Sequence, residues 1–259
     1  MDDADSIKAL LAKANAGDAE AQNSMGRFAI SSGGPNARTD AEAWFRRAAE
    51  QGLSKAKHNL GVLYLQQGQI RPEALKWFYE AAQEGWLPSI FAMGMIAQDD
   101  DRMEEAQRLF EIAAQRGHAE SQDALGRIYF DRNTGADYVI ARRWSEAAAE
   151  HGIAAAQARL ATIFHEGLGT PRDPQRAANY FRAAAHNGHA GAQAMWGVAH
   201  DIGVGAPVDK IEAAHWLMRS TEQSHELAHI YLPDLMKRLQ PHEVDEAERR
   251  AREPLPRSH

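Results

Sequence analysis

The sequence predicts an all-α protein in which pairs of antiparallel helices repeat along the chain. The first observation is a motif that ends in a large apolar residue followed by a small one and recurs six times. The second is that an aromatic residue and a run of alanines follow each copy, as in WFRRAAEQG and WFYEAAQEG. Such a period is typical of helical arrays whose neighbouring repeats share one continuous core.

The large-small pairs set the phase of the repeats. They are Met25-Gly26, Leu60-Gly61, Met93-Gly94, Leu125-Gly126, Leu160-Ala161 and Trp196-Gly197, and their small residues lie 35, 33, 32, 35 and 36 positions apart. We expect the stretch around each pair to form the first helix of a repeat. The aromatic and alanine-rich stretch should then form the second helix.

Residues typical of helix ends lie between these stretches. Capping boxes are expected at the start of second helices at Thr39…Glu42, Asp101…Glu104 and Asp209…Glu212, and Asp173-Pro174 places a cap before a first-turn proline. Glycines occupy the positions where a second helix should end, at Gly52, Gly85, Gly117, Gly152 and Gly188.

A glycine in the middle of five of the six first helices needs a reason, because it costs about 1 kcal/mol relative to alanine. We expect Gly26 and its equivalents to admit close approach by alanine pairs of the second helices, such as Ala48-Ala49 and Ala81-Ala82. Large aromatic residues should fill the space between helices, namely Trp44, Trp77, Trp144, Tyr180 and Trp216.

The repeats divide the chain into three parts. Residues 1–15 are expected to form an N-terminal capping helix, and residues 227–259 to form C-terminal capping helices and a tail. The six repeats should occupy residues 16–226, with approximate bounds 16–53, 54–86, 87–118, 119–153, 154–189 and 190–226.

The combined pattern A-x-A-Q-x-x-L-G-x-x-Y followed by W-x-x-x-A-A-x-x-G resembles the Sel-one-like repeat, a relative of the tetratricopeptide repeat. The resemblance covers residues 16 to about 226. It implies a right-handed α-solenoid superhelix with a concave groove lined by first helices. Proteins of this family often serve as bacterial adaptors in signalling or secretion, and some act as regulators or immunity proteins.

Composition and charge disfavour several classes of function. The chain of 259 residues has a formal net charge of −7 with basic and acidic residues interspersed, so we expect no nucleic-acid partner. It has no cysteine, which removes thiolate chemistry and fits a reducing compartment. With no signal-peptide pattern and no apolar run of about 18 residues, we expect a cytoplasmic protein without a membrane span, or a periplasmic one if a leader was removed.

One short motif suggests an enzyme. His225-Glu226-Leu227-Ala228-His229 matches H-E-x-x-H, in which two histidines on one helix face bind zinc and the glutamate activates water. In phase with the repeats, however, Ser224 takes the position of the junction glycine, so the two histidines should straddle a turn. Glu248 is available as a third ligand, and a zinc-dependent hydrolase therefore remains the alternative function.

Two further patterns have a structural interpretation and a functional one. GLGTPRD (167–173) is similar to a phosphate loop, but GVGAPVD (203–209) recurs at the same phase, which favours a connection between helices. His165-Glu166 and His200-Asp201 are expected to lie near one another in adjacent first helices. They could bind a metal or act in acid–base chemistry, or simply line a solvated groove.

The remaining candidate is the groove of the solenoid. By analogy with tetratricopeptide repeats, an apolar patch of Val62, Leu65, Phe91 and Met95 should face it, flanked by Arg27 and Arg127. Such a patch suits a partner protein or peptide, although these side chains could instead pack between first helices. We therefore expect a non-catalytic adaptor without a cofactor or metal, with these partner-binding residues: Arg27, Val62, Leu65, Phe91, Met95, Arg127 and Phe130.

Overall fold

The computed structural model describes residues 3–66 and 71–255, which form fifteen α-helices and no β-strand. The prediction of an all-α fold is confirmed. The helices are α1 (Asp3–Asn15), α2 (Ala19–Ser32), α3 (Ala37–Glu50), α4 (Ser54–Gln66), α5 (Arg71–Gln83), α6 (Leu87–Asp99), α7 (Met103–Ala114), α8 (Ala119–Asp131), α9 (Gly135–Glu150), α10 (Ala154–Glu166), α11 (Pro174–His186), α12 (Ala190–Ile202), α13 (Lys210–Glu222), α14 (Glu226–Met236) and α15 (Pro241–Arg252).

The chain forms two compact units, Met1–His118 and Ala119–His259. In each unit the first helix of a repeat packs on the second helix of the same repeat, and the second helix packs on the first helix of the next. Pairs such as α2–α3 and α12–α13 are therefore the building blocks of the fold, as the repeated pattern predicts.

The expected helix starts are partly confirmed. Asp173 and Asp209 are N-caps, and their carboxylates accept the backbone N–H groups of Arg176 and Glu212 at 2.9 and 3.0 Å. The prediction for Thr39 is wrong, because α3 already begins at Ala37. The prediction for Asp101 is also wrong, because this residue has a φ of 58° and precedes the N-cap of α7.

The junction glycines adopt the left-handed conformation that favours glycine. The values of φ at Gly52, Gly85, Gly117, Gly152 and Gly188 lie between 78° and 89°. At the equivalent position of the sixth repeat, Ser224 has a φ of 59°. A side chain with a Cβ thus occupies a backbone conformation that costs it about 1 kcal/mol or more.

In the first three repeats the mid-helix glycines contact phenylalanine rings rather than alanine pairs, which corrects the expectation from the sequence. A Cβ on Gly26, Gly61 or Gly94 would lie 2.5 Å from a ring carbon of Phe45, Phe78 or Phe110, respectively. Each of these phenylalanines directly follows the first large residue of its motif, which is tryptophan in the first two repeats and leucine in the third. All three phenylalanines are buried. The preceding Trp44 and Trp77 are only half-buried, so the tryptophans are not the main filling of the core there.

The fourth repeat fills this space differently. Ser145 stands where the first, second, third and fifth repeats have phenylalanine, and the guanidinium of Arg159 from α10 enters the space above Gly126. Arg159 donates hydrogen bonds of 3.0 Å to Ser145 Oγ and to Asp123 Oδ1, and its side chain is only 8% exposed. A buried ion pair therefore replaces an aromatic ring at this point of the core.

The last two helices pack against α13. Trp216 Nε1 and Arg250 Nη1 both donate hydrogen bonds of 2.9 Å to the carboxylate of Glu212, which joins α13 to α15. Arg219 of α13 also donates to the backbone carbonyls of Arg250 and Glu253. The end of α15 is thus attached to α13 by side-chain hydrogen bonds as well as by apolar contacts.

Candidate partner-binding site

An open pocket lies between the first helices α2 and α4 of the first unit. Ile30, Phe45 and Leu63 supply apolar surface, and Val62 lies beside them. The polar lining residues are Arg27, Ser31, Asn59 and Gln66. The structure therefore brings together Arg27 and Val62, two of the residues predicted to bind a partner.

The charge at this pocket is available to a ligand. Arg27 is exposed and forms no ion pair within residues 3–66 and 71–255. Beside it, Asn59 Nδ2 donates a hydrogen bond of 2.7 Å to Asn23 Oδ1, while the buried Nδ2 of Asn23 has no partner in the described part of the chain. The pocket thus combines an apolar base with a cation and amide groups at its edge.

The other predicted anchors of the first unit have different surroundings. Phe91 packs against Phe110 and His118, with ring centroids 5.6 and 5.3 Å apart. Leu65 is half-buried against the core, whereas Met95 remains 36% exposed. Phe91 and Leu65 are thus partly used in packing, and Met95 is the most exposed of the three.

His58 lies on α4, and aromatic rings surround it. Its Nδ1 lies 3.0 Å from Ser89 Oγ, and the rings of Phe78 and Trp86 lie close by. Burial, with a smaller contribution from His118, lowers the pKa of His58 to about 4. His58 is therefore neutral near pH 7 and contributes no positive charge to this surface.

Arg127 and Phe130 belong to α8 in the second unit. Arg127 is exposed and lies 3.8 Å from Asp131 Oδ2, one turn further along the helix. The ring of Phe130 contacts the ring of Tyr138 edge-on at a centroid distance of 5.4 Å.

A second pocket lies in the second unit, between α10, α12 and α14. His165, Glu166, His189 and His225 line it together with the apolar side chains of Phe181, Met195 and Leu227. The pairing of His189 with His225 was not predicted. The signal was present in the sequence, because both residues occupy the junction position that follows the turn of a repeat.

His200 and Asp201 do not join His165 and Glu166 in this pocket, which corrects the expected cluster. His200 is buried and its Nδ1 lies 3.0 Å from the carbonyl of Pro207. Burial tends to raise the pKa of Asp201, but hydrogen bonds from Arg238 and Tyr231 lower it below its usual value. Both residues therefore stabilise contacts within the fold.

The H-E-x-x-H segment has a geometry unlike that of a zinc helix. The turn at residues 223–224 precedes both histidines, so the expectation that they straddle a turn is wrong. His225 is the N-cap of α14 with extended backbone and faces Gly191, whereas His229 lies inside α14 and is exposed. Within residues 3–66 and 71–255, no group of three or more His, Asp and Glu side chains is arranged to hold a metal ion.

The length and hydropathy of the helices decide whether any of them could span a membrane. Of the helices described, none combines the length and the apolar character needed to cross a bilayer.

Paired helices, glycines that seat aromatic rings and left-handed junctions define a helical-repeat protein of the solenoid class. The sequence model of the Sel1 repeat matches residues 19–53, 54–86, 91–118, 119–153, 154–189 and 190–225. The chain belongs to the Sel1 repeat family, which confirms the resemblance.

Known proteins with similar sequence or structure agree with this assignment. The sel1-like repeat-containing protein L21 of Acanthamoeba polyphaga mimivirus is 32% identical over 93 residues, which cover 35% of this chain and 17% of L21. The protective antigen c5321 of uropathogenic Escherichia coli, which displays an SLR fold, is 27% identical with a TM-score of 0.80, over 96% of this chain and 56% of c5321.

A third similar structure is the immunity protein PA5088 of Pseudomonas aeruginosa. It is 20% identical with a TM-score of 0.55, over 85% of this chain and 88% of that one. This chain therefore spans less than two thirds of L21 and of c5321 but most of the length of PA5088. Sel1 repeat proteins are in general scaffolds for protein–protein interaction.

Proposed function

We propose that this protein is a non-catalytic scaffold that binds a partner protein or peptide through its first helices. The observation that carries the proposal is the pocket between α2 and α4, where Arg27 and Val62 meet at an apolar base. A partner would insert an apolar side chain there and place a carboxylate beside Arg27.

The exposed apolar surface of the same helices supports this proposal. Phe28 and Ile30 of α2 are 38% and 39% exposed, and Met95 of α6 is 36% exposed. Apolar side chains of this size at the surface of a repeat protein are suited to binding another protein. Leu65 and Phe91 would extend the contact on the first unit. Arg127 and Phe130 are proposed as partner-binding residues of the second unit by itself.

The proposal includes an immunity role as one form of partner binding. PA5088 shares the helical fold of this chain and is an immunity protein. The other forms of partner binding that we consider are those of adaptors in bacterial signalling and secretion.

Affinity capture with a matched pair of variants tests the proposal. Val62→Asp puts a charge into the pocket, whereas Tyr79→Asp puts the same charge on α5 at a residue that is 55% exposed and does not line the pocket. A partner captured by the wild type and by Tyr79→Asp, but lost with Val62→Asp, would support the site. Circular dichroism must show that both variants are as helical as the wild type.

The purified partner should then be titrated by calorimetry against the wild type and Arg27→Glu. We expect the charge reversal to weaken binding at least tenfold, because the partner carboxylate would face a like charge. Equal affinity for the wild type, Val62→Asp and Arg27→Glu would reject the pocket as the binding site.

A further inference from the structure

The pocket of the second unit contains a pair of adjacent imidazoles that the scaffold function does not require. His189 is the N-cap of α12, and His225 is the N-cap of α14, so the repeat places them at equivalent positions of successive first helices. Gly191 lies between the two rings. A Cβ there would be 3.1 Å from His225 Nε2 and 3.4 Å from His189 Cε1, so a larger residue would press on both.

The hydrogen bonds of the pair leave donors for a ligand. His189 Nδ1 accepts the backbone N–H of Ala192 at 3.2 Å, which places the proton of the neutral ring on Nε2. His225 Nδ1 is buried and has no hydrogen-bond partner within the described residues. His225 Nε2 is the ring nitrogen that lies nearest to Gly191, so an N–H at this atom can donate to an acceptor placed between the rings.

The charges around the pair favour an anion with a single negative charge. Burial lowers the pKa of His189 below its usual value, and the positive potential of His225 and Arg159 lowers it further. Neither arginine nor lysine lines the pocket, and Glu166 at its edge lies 3.7 Å from Arg172 and 3.6 Å from His165. Because Glu166 lines the pocket and no lysine or arginine does, a dianion such as phosphate is disfavoured more strongly than a monoanion.

The remaining walls are apolar. Phe181, Met195 and Leu227 supply most of this surface. A carboxylate attached to an aromatic or aliphatic group would match both parts of the pocket, because its charged end meets the imidazoles and its apolar end meets these side chains.

We propose that the pocket between α10, α12 and α14 binds an apolar carboxylate, which His189 and His225 hold through their imidazole N–H groups. The site is separate from the α2–α4 pocket and does not depend on the scaffold function. Because a carboxylate is bound more tightly by the protonated imidazole than by the neutral one, binding takes up a proton. Affinity is therefore highest at acidic pH and falls by up to about tenfold per pH unit above the pKa of the free site.

Isothermal titration calorimetry on the full chain tests the proposal with defined probes. They are 3-phenylpropionate, its neutral amide, and an acetylated tripeptide ending in phenylalanine with either a free or an amidated C-terminus. We expect the free carboxylates to bind at least tenfold more tightly than the amides at pH 6 and to weaken at pH 8. Tighter binding of the free tripeptide than of 3-phenylpropionate would assign a peptide C-terminus, and the reverse a free acid.

Three variants separate the imidazoles from general effects. His189→Asn keeps a capping side chain but removes the Nε2 donor, and His225→Ala removes the second ring. Each should weaken 3-phenylpropionate binding at least tenfold. His229→Ala alters the exposed histidine of the same motif and should leave the affinity unchanged. Folding of all three is checked by circular dichroism.

Nuclear magnetic resonance of the histidine Cε1–H groups gives an independent result. The ligand should shift the Cε1–H resonances of His189 and His225 and leave that of His229 in place. The proposal is overturned if the neutral amides bind as tightly as the carboxylates, if His229→Ala weakens binding as much as His225→Ala, or if no carboxylate binds at millimolar concentration.

Discussion

At the scale of single residues, the close approach of a glycine and a phenylalanine ring determines how two helices of a repeat meet. Alanine is the better helix former by about 1 kcal/mol, so glycine at Gly61 must gain more from packing than it loses in propensity. Phe78 is fully buried, and its ring lies directly on Gly61. The packing contribution is therefore the larger one.

Gly61→Ala should destabilise the protein by about 1–3 kcal/mol, because the new Cβ would lie 2.5 Å from the Phe78 ring. Gly135→Ala is the matched control, since a Cβ at this helix start meets no atom within 4 Å. The control should be neutral or slightly stabilising. Urea unfolding followed by circular dichroism measures both changes, and equal effects would contradict the packing explanation.

Ser224→Gly should stabilise the protein by about 0.5–1 kcal/mol, because glycine adopts the φ of 59° at this junction without strain. The reciprocal variant Gly188→Ser, at the equivalent junction of the preceding repeat, should be destabilising by about 1 kcal/mol. Thermal unfolding of both proteins gives the sign of each effect. A destabilised Ser224→Gly protein would show that the serine side chain makes a compensating contact.

The sequence was sufficient to predict the repeats, the helix pairs and the junction glycines, because these depend on local spacing. It was not sufficient to identify the ring that lies on each glycine, since Trp44 and Phe45 are adjacent and only the rotation of α3 determines which is buried. The His189–His225 pair was missed for a similar reason. A histidine at a single junction position does not predict a site, because the site forms only when two successive repeats place their rings side by side.

At the scale of elements, α8, α9 and α10 are joined by a largely buried ion pair where the first three repeats use a phenylalanine ring. The Arg159–Asp123 pair costs desolvation energy on burial, so it is expected to be no more stable than an apolar replacement. Removing one partner is different, because the other charge then remains buried without compensation.

Asp123→Ala should therefore destabilise the protein by about 3 kcal/mol. The triple variant Asp123→Ala/Ser145→Phe/Arg159→Ala restores the glycine–phenylalanine arrangement of the first three repeats and should recover the wild-type stability to within about 1 kcal/mol. Denaturant unfolding of both proteins measures the difference. A triple variant as unstable as Asp123→Ala would mean that α9 cannot position a ring over Gly126.

The contact between α13 and α15 should weaken at acidic pH. The neighbouring His215 imidazole lowers the pKa of Glu212 most, and with Trp216 and Arg250 it outweighs burial and brings the value to about 2. Because the folded pKa lies below the ordinary 4.5, the carboxylate stabilises the fold fully above pH 4.5, and this contribution is lost as the pH falls from 4.5 towards 2.

Glu212→Gln should be less stable than the wild type at pH 7, and its stability should vary less between pH 4.5 and 2. Glu222→Gln alters an exposed residue of the same helix and serves as the control. Unfolding by urea at several pH values measures the effect. If Glu212→Gln and the wild type lose the same stability on acidification, Glu212 is not the cause of the pH dependence.

At the scale of the whole molecule, the most extensive contacts of each described helix are with the neighbouring helices of its own unit, so we expect stability to be local. In arrays of this kind the total stability approximates a sum of repeat and interface contributions. A defect in one repeat is therefore expected to affect that repeat and the adjacent ones most strongly.

Amide hydrogen exchange of Gly61→Ala tests this locality. Protection should decrease in α4, α5 and the helices packed on them, while α12 to α15 in the other unit should exchange as in the wild type. Mass spectrometry of peptic peptides resolves these segments. A uniform loss of protection along the chain would show that the two units unfold as one cooperative structure.

The buried Arg159 also limits how such a chain can evolve by duplication. The first three repeats carry their own phenylalanine for the glycine of their first helix, so one copied repeat of this type brings a complete core with it. The fourth repeat carries Ser145 and takes its filling group from α10 of the fifth. A duplication of α8 and α9 alone would leave only Ser145 beside the glycine of the first copy, so the fourth repeat keeps its full core filling only together with the fifth.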